Sequence, residues 1–323
     1  MMRRTFLFFV GLAGAKFLNR AQFFPMVEGL TALAQAGLPS NPVIPPSIPS
    51  KPETVESPPT PNPGKPVEVT KKTLNGVSFY QTTIDLKDPE IFITIALANN
   101  ASLANNGNIS NGDESFAALV KRSKGAVVAN GTFFSKDEEK RVMGNLVAGG
   151  KFLKYSRWEN YGTTLGIKAG NQLEMITARQ EGQPEWDQHW FSLTCGPRLL
   201  KQGKIWLAPQ SEGFKDPHVL DVGGRTAIGF PASRDKLFLV TFLLALSLEQ
   251  EAQLMQAIGC VEAMNLDGGA SKALAHRGQI LLPAGRLLTN VIVVYDTEHP
   301  APAELKNSWQ GFQQGERPVV PSF

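Results

Sequence analysis

The sequence has few of the residues from which covalent frameworks and metal sites are built. Its 323 residues include only two cysteines and four histidines. Cys195 and Cys260 cannot by themselves form a disulfide scaffold or a zinc cluster. The histidines are scattered along the chain and form no HxH or HExxH pair. We therefore predict no metal site of these kinds and no cofactor.

The sequence also lacks long apolar runs and a dominant charge. It contains no run of 18 or more uncharged apolar residues, so we predict no ordinary membrane span. The formal net charge is only +3, whereas domains that bind nucleic acid through charge usually carry a dense basic face. We therefore predict no nucleic-acid partner. A content of 42% hydrophobic and 19% charged residues indicates a globular protein, with one large domain or two small ones.

The N-terminus has the pattern of an export signal. Arg3 and Arg4 precede a modest apolar run, as in a secretory signal, and the pair resembles the twin-arginine motif. Ala34-Gln35-Ala36 is a candidate cleavage site. We predict an export signal over residues 1–36 and a periplasmic, envelope-associated or extracellular location. An amphipathic N-terminal anchor is the alternative.

A proline-rich stretch follows this N-terminal segment. Residues 39–66 contain eleven prolines, which remove hydrogen-bond donors and favour extended polyproline conformations. We predict that residues 37–66 form a linker holding a domain away from a membrane or wall; a proline-rich recognition ligand is the alternative. The folded domain is predicted over residues 67–298, with a C-terminal tail over 299–323.

From residue 67 onward the sequence predicts an α+β domain. Only two segments have helical spacing: residues 113–124, and residues 248–258, where Ser247 and Gln250 are spaced as in a capping box. We therefore expect one domain with a large mixed, mainly antiparallel β-sheet core and few flanking helices, rather than a doubly wound fold. Stretches rich in β-branched, aromatic or apolar residues predict strands at 77–86, 91–97, 126–129, 143–153, 163–168, 173–177, 237–246, 261–266 and 291–295.

Polar residues and glycines interrupt the predicted buried strands in four segments. The first is Asn130–Phe134, which presents a side-chain amide and a flexible backbone directly after a strand. Asn-Gly alone is usually a turn. In the second, Thr194–Leu200, Cys195 precedes a turn at Gly196-Pro197. A nucleophilic cysteine needs a base or a positive field, and a small buried core residue is the alternative.

The other two segments contain an arginine and an aspartate. Two glycines precede Arg225, so its guanidinium can enter a cleft and bind phosphate or carboxylate; a surface arginine is the alternative. In the fourth segment Asn265 and Asp267 share one face of a strand. Gly268 and Gly269 then free the backbone for a tight turn with open N–H groups. A hairpin turn is the alternative, but such a turn rarely needs an asparagine two residues earlier on the same face.

Taken in order, the four segments resemble motifs of the phosphodiester glycosidase family, over residues 67–296. The family's Asn-Gly-Gly-aromatic-Phe resembles Asn130–Phe134, with Thr132 in place of the second glycine. Its small-Gly-Pro-x-Leu segment resembles Cys195–Leu199. Its Arg-Thr-Ala-Ile-Gly is unchanged at Arg225–Gly229.

The fourth motif and one departure complete the resemblance. The family's Asn-Leu-Asp-Gly-Gly-Gly-Ser resembles Asn265–Ser271, with Ala270 in place of the third glycine. The usual His-Pro before the arginine is absent, since Val222-Gly223-Gly224 stands there. That difference bears on substrate preference more than on the fold.

The resemblance implies an exported hydrolase that cleaves sugar-1-phosphodiesters at the anomeric carbon. Bacterial members are often labelled exopolysaccharide-related, which implies cell-envelope or exopolysaccharide glycans as substrates. The implied catalytic residues are Asp267, Arg225 and Asn130. Arg225 would neutralise the phosphoryl oxygens. Asp267 would stabilise an oxocarbenium-like transition state, attack C1 or activate water. The implied substrate-binding residues are Gly131, Thr132, Cys195, Gly196, Thr226, Asn265, Gly268, Gly269 and Ser271.

Other interpretations remain open on the sequence. Trp158, Trp186 and Trp190 are candidates for stacking on a sugar ring, although tryptophans usually serve the core. The main alternative function is a non-catalytic carbohydrate or cell-wall binding module with the same fold. The scattered histidines disfavour a metal-dependent phosphodiesterase. The sequence specifies no oligomeric state.

Overall fold

The computed structural model describes residues 64–322. The predicted export signal and nearly all of the predicted linker lie outside the described residues, so both stay predictions. Within residues 64–322, no helix has both the length and the apolar composition required to cross a membrane.

The described residues form seventeen strands and six α-helices. The strands are β1 (Glu68–Leu74), β2 (Val77–Asp85), β3 (Phe92–Leu97), β4 (Val127–Asn130), β5 (Leu146–Ala148), β6 (Lys151–Lys154), β7 (Thr163–Lys168), β8 (Gln172–Thr177), β9 (Phe191–Cys195), β10 (Arg198–Lys201), β11 (Lys204–Ile205), β12 (Gly223–Phe230), β13 (Lys236–Leu246), β14 (Glu262–Asn265), β15 (Leu274–His276), β16 (Gln279–Leu282) and β17 (Asn290–Tyr295). The helices are α1 (Phe116–Ser123), α2 (Ala178–Glu181), α3 (Pro209–Glu212), α4 (Pro217–Leu220), α5 (Leu248–Ile258) and α6 (Ala303–Gln313).

The strands form three sheets, which confirms the predicted α+β fold class. A seven-stranded sheet has the order β1-β2-β13-β12-β14-β10-β11. The second sheet has the order β16-β15-β4-β17-β3, and the third β6-β5-β9-β7-β8. Every strand pairing within these sheets is antiparallel. Strands β2 and β3 are consecutive in sequence but lie in different sheets.

The two predicted helices are present, with ends set by local capping. The Ser115 hydroxyl accepts from the backbone N–H of Ala118 at the start of α1, and α1 ends at Lys124 in the left-handed conformation. At α5 the predicted capping box is confirmed, since Ser247 and Gln250 each bond the other's backbone. Helix α5 packs on the seven-stranded sheet and buries Leu254 and Met255 there.

The C-terminal segment differs from the predicted simple tail, because residues 303–313 form helix α6. Leu305, Trp309 and Phe312 lie at helical spacing and contact the main hydrophobic core. The Trp309 ring lies 4.9 Å from the ring of Trp190. The Trp190 indole N–H donates to the Ser308 hydroxyl over 3.1 Å. The segment is therefore part of the folded domain.

The three sheets meet at the ends of a few strands. Strand β4 of the second sheet ends at Asn130, beside the start of β17. Strand β14 of the seven-stranded sheet ends at Asn265, and β9 of the third sheet ends at Cys195. Three of the four segments singled out in the sequence therefore begin at this junction, although they lie up to 135 residues apart.

Candidate active site

Asn130 connects the second sheet to the seven-stranded sheet. Its side-chain N–H donates to the main-chain carbonyl of Asp267 over 2.6 Å. Its side-chain oxygen accepts from the Thr226 hydroxyl and the Ala273 N–H, each over 3.1 Å. Asn130 is 1% exposed. Three of the four hydrogen-bonding positions of the amide are thus used by protein groups, and Asn130 positions the main chain of Asp267 rather than its carboxylate.

The carboxylate of Asp267 is buried and held at both oxygens. Oδ2 accepts from Arg286 Nη2 over 2.9 Å, and Oδ1 accepts from the Gly268 N–H over 2.9 Å. The side chain is 8% exposed. Burial raises the pKa of Asp267, whereas the charge of Arg286, the Ser271 hydroxyl and the Gly268 N–H oppose that rise. The Gly268 N–H, predicted to face the substrate, is therefore occupied by the carboxylate.

Arg286 is the site residue that the sequence motifs did not identify. Besides Asp267, its Nε donates to the Ser271 hydroxyl over 2.6 Å. Its guanidinium lies 4.0 Å from the ring centre of Phe134, in cation–π geometry. The side chain is 31% exposed, so this cation faces both the buried carboxylate and solvent. Arg286 lies 19 residues after Asp267 in a segment with no recognisable motif, so no local signal points to it.

Arg225 does not occupy the place that the motif predicted for it. Its Nε donates to the carbonyl of Leu246 over 3.1 Å, and its two terminal nitrogens donate to the carbonyls of Val219 and Asp221. It is 2% exposed. The adjacent Thr226 points to Asn130 instead, because successive side chains of a strand face opposite sides. Arg225 therefore holds the α4 segment in place and is not positioned to neutralise phosphoryl oxygens.

Gly131 and Thr132 fasten the segment after β4 to its neighbours. A Cβ on Gly131 would lie 2.0 Å from Oδ1 of Asn290, so only glycine allows this close approach. The Thr132 N–H donates to the same oxygen over 2.8 Å, and its hydroxyl donates to the Thr194 carbonyl over 2.5 Å. The Thr132 side chain is thus directed into the structure and not into a cleft.

Cys195 lies close to Asp267 but is not activated. Burial, and to a lesser extent the negative charge of Asp267, raise the pKa of its thiol to about 12. The thiol therefore stays protonated near neutral pH, as expected for a small buried core residue rather than a nucleophile. The Gly196 N–H donates to the Asn265 carbonyl over 2.9 Å, which ties the third sheet to β14.

Asn265 carries an unpaired acceptor next to Asp267. Its side-chain N–H donates to the Gly196 carbonyl over 2.9 Å. Its Oδ1 is buried and has no hydrogen-bond donor among the described residues. A buried acceptor without a donor is costly, so Oδ1 of Asn265 is an unsatisfied polar atom at the junction of the sheets.

Glu212 is a buried titratable group that the sequence analysis missed. Its carboxylate accepts from the Thr163 hydroxyl over 2.7 Å and from the Arg198 N–H over 2.9 Å. Burial raises its pKa to about 7. These contacts hold the turn after Cys195 against β7, so Glu212 supports one wall of the site.

Two of the three candidate tryptophans belong to the core. Trp186 and Trp190 are 5% and 3% exposed and pack in hydrophobic clusters, so neither can stack on a sugar. Trp158 is 76% exposed, with the Arg157 guanidinium 4.6 Å from its ring centre.

The structure therefore brings most of the predicted site residues together and sets one of them apart. Among residues 64–322 there is no cluster of three or more His, Cys, Asp or Glu side chains that could hold a metal ion. Arg225 is directed to the α4 segment and the main chain before α5. Asp267 and Arg286 lie at the junction of the three sheets. The other predicted site residues at this junction are Asn130, Gly131, Thr132, Cys195, Gly196, Thr226, Asn265, Gly268, Gly269 and Ser271.

Comparisons with solved structures show the same fold in other proteins. The catalytic domain of zebrafish N-acetylglucosamine-1-phosphodiester alpha-N-acetylglucosaminidase matches with a TM-score of 0.55 at 19% identity, over 71% of this chain and 82% of that one. A hypothetical protein from Synechocystis matches with a TM-score of 0.51 at 18% identity, over 71% of this chain. This chain covers 61% of the Synechocystis protein, less than two thirds of its length.

The sequence comparisons point to one family. No curated protein matches the chain. The sequence profile described as phosphodiester glycosidase matches residues 123–295, which is more than half of the chain and includes all four motifs. The protein therefore belongs to the phosphodiester glycosidase family.

Proposed function

We propose that the protein is a hydrolase that cleaves the glycosidic C1–O bond of sugar-1-phosphodiesters. The observation that carries this proposal is the pair formed by Asp267 and Arg286, a buried carboxylate beside a part-exposed guanidinium over 2.9 Å. Cleavage at the anomeric carbon needs a carboxylate near C1 and a cation on the departing phosphate. Membership of the family supports the same reaction class.

The two members of the pair take different roles. Arg286 neutralises the phosphoryl oxygens, the role that the motif had suggested for Arg225, because its guanidinium reaches solvent. Asp267 stabilises the positive charge that develops at C1. A phosphomonoester is a good leaving group, so the reaction needs little help from a general acid. The anomer released distinguishes the two further roles of Asp267, since retention indicates attack on C1 and inversion indicates activation of water.

The proposed setting is the cell envelope. The paired arginines at the N-terminus and the eleven prolines of residues 39–66 support an exported protein held away from a membrane or wall. We infer that the substrates are envelope or exopolysaccharide glycans that contain a sugar-1-phosphodiester.

An oxygen-18 experiment tests which bond breaks. The full chain is incubated with a synthetic hexose-1-phosphodiester in oxygen-18 water, and the phosphomonoester product is examined by phosphorus NMR. Cleavage of C1–O leaves the phosphate unlabelled and places the label on C1 of the sugar. A free-sugar control in the same water corrects for exchange of the anomeric oxygen.

Label in the phosphate would overturn the proposal, because water would then have attacked phosphorus. Asp267→Asn in the same assay links the turnover to the site. Binding of the diester without turnover would instead support the non-catalytic carbohydrate-binding module.

A further inference from the structure

Phe134 ends the first of the four motifs and carries no group that could react with a substrate. Its side chain is 7% exposed and packs in the main hydrophobic core. One face of its ring meets the guanidinium of Arg286, whose Cζ lies 4.0 Å from the ring centre. An aromatic face attracts a cation within about 6 Å of its centre. A core aromatic ring therefore lies against the cation proposed to bind the substrate phosphate.

The backbone and the core hold the Phe134 ring independently of Arg286. Phe134 forms an isolated β-bridge with Val142. The N–H of Ser135, the next residue, donates to the Arg141 carbonyl over 2.8 Å. Arg286, in contrast, belongs to the loop between β16 and β17. The ring is therefore the fixed partner of this contact, and the guanidinium takes its orientation from it.

The hydrogen bonds of Arg286 use one edge of its planar guanidinium. Nε donates to the Ser271 hydroxyl and Nη2 donates to Oδ2 of Asp267, and these two nitrogens lie on the same edge. Nη1 has no hydrogen-bond acceptor among residues 64–322. The end of the guanidinium, formed by Nη1 and the second N–H of Nη2, is therefore free. Because the side chain is 31% exposed, a ligand can reach this end.

The free end of the guanidinium has the geometry that two phosphoryl oxygens require. Its two nitrogens present parallel N–H groups, which can bind two oxygens of one phosphate at once. Such binding requires the plane of the guanidinium to be aimed at the phosphate. Two hydrogen bonds along one edge leave the plane free to tilt about that edge, whereas a ring in contact with the guanidinium opposes the tilt. Asp267 and Ser271 thus fix the edge, and Phe134 fixes the plane.

We propose that Phe134 is a positioning residue that sets the plane of Arg286, so that the free end of the guanidinium binds two phosphoryl oxygens at once. This inference rests on the proposed function, because it concerns how the same site holds the phosphate of a sugar-1-phosphodiester. Inorganic phosphate and the phosphomonoester product present the same oxygens. They therefore bind at the same place and compete with the diester.

Graded fluorination of the Phe134 ring tests this role with little change in its shape. In the full chain, Phe134 is replaced by 4-fluoro-, 3,5-difluoro- and 3,4,5-trifluorophenylalanine, which progressively weaken the negative charge of the ring face. Inorganic phosphate is the probe, and calorimetry measures its Kd. We expect Kd to rise stepwise along the series, by about fivefold or more in total. A role in packing alone predicts no such trend, because the volume of the ring hardly changes.

Phe133, the neighbouring residue of the same motif, provides the matched control. Its ring lies 6.0 Å from the Phe214 ring in edge-to-face geometry, and it forms no cation–π contact with Arg286. The same fluorinated residues at position 133 should change Kd by less than about twofold. Phe134→Leu removes the aromatic face altogether and should raise Kd at least as much as the trifluorinated ring does.

A melting curve for each protein verifies that it is folded. The positioning role would be overturned by a Kd that stays constant along the fluorinated series at Phe134, or by an equal rise in the Phe133 series. Wild type that does not bind inorganic phosphate would overturn the two-oxygen contact with Arg286.

Inhibition kinetics separate this inference from the proposed function. If sugar-1-phosphodiesters are hydrolysed, inorganic phosphate should inhibit competitively, and its inhibition constant should rise along the Phe134 series in step with Kd. Turnover with an inhibition constant that ignores fluorination would refute the positioning role and leave the proposed function standing. Phosphate binding with the expected dependence on fluorination, but no turnover of any diester, would refute the proposed function alone.

Discussion

Glu251 offers a test of how the protein holds Arg225, and through it the α4 segment. Both Glu251 carboxylate oxygens are buried without a hydrogen-bond donor among the described residues. Oε2 lies 3.8 Å from Arg225 Nε, beyond hydrogen-bond distance. Burial raises the pKa of Glu251 to about 8, although the charge of Arg225 opposes this. Glu251→Gln keeps the shape of the side chain and removes its titration.

The size of the expected pH effect on stability follows from the difference between the pKa of Glu251 in the folded protein and in the unfolded chain. The ordinary pKa is 4.5, so the folded protein binds this proton more tightly than the unfolded chain. The stabilisation from protonation is fully present below pH 4.5 and is lost as the pH rises through about 8. Within that window the free energy of unfolding changes by about 1.4 kcal/mol for each pH unit. Relative to Glu251→Gln, the free energy of unfolding of wild type should therefore fall by about 3 kcal/mol between pH 5 and pH 7.

Urea denaturation at pH 5, 6, 7 and 8 measures this difference. At each pH, the free energy of unfolding of the variant is subtracted from that of wild type, which removes the contributions of the titratable groups that both proteins share. Glu249→Gln is the matched control, since Glu249 lies exposed on the same helix and its substitution should leave the pH profile unchanged. If the difference in free energy of unfolding between wild type and Glu251→Gln does not vary with pH, Glu251 is ionised and paired with Arg225. The same conclusion would follow if the variant were less stable than wild type at pH 7.

Three further predictions concern the site and the C-terminal helix. Asp267→Asn should lower kcat/KM more than about 100-fold in steady-state assays with an unchanged melting temperature, and a loss within about tenfold, or 1.4 kcal/mol, contradicts a catalytic role. Arg286→Lys should lower kcat/KM by about 10- to 1000-fold, because lysine loses the planar fork that contacts both Asp267 and Ser271; unchanged kinetics would argue against the phosphate role. Phe312→Ala should lower the free energy of unfolding by about 3–5 kcal/mol in urea, and a loss below about 1 kcal/mol would exclude α6 from the cooperative unit.

The sequence by itself specified elements whose signals are local. The spacing of Ser247 and Gln250 predicted the start of α5, and the structure contains that capping box. The apolar run at residues 237–246 predicted a central strand, which is β13. Such features depend on residues a few positions apart, so a single stretch of sequence contains the information. The order of the four motifs likewise indicated the family.

Contacts between distant residues were decided only in the folded structure. The hydrophobic spacing of Leu305, Trp309 and Phe312 became meaningful only where the helix meets the Trp190 side of the core. Strands β2 and β3 follow each other in sequence but join different sheets, because pairing depends on which edges are available.

The arginine of the site also could not be identified from local sequence patterns and was identified only in the folded structure. The alternation of side chains along β12 placed Arg225 and Thr226 on opposite faces, but both faces are buried, so the pattern could not indicate which one meets the site. Asp267 was recognisable from its neighbours at the end of β14. Its partner Arg286 comes from a separate loop, and only the path of that loop across the junction of three sheets brings the guanidinium to 2.9 Å from the carboxylate. The sequence thus determined which residue types carry the chemistry, and the tertiary structure determined which of the two arginines meets Asp267.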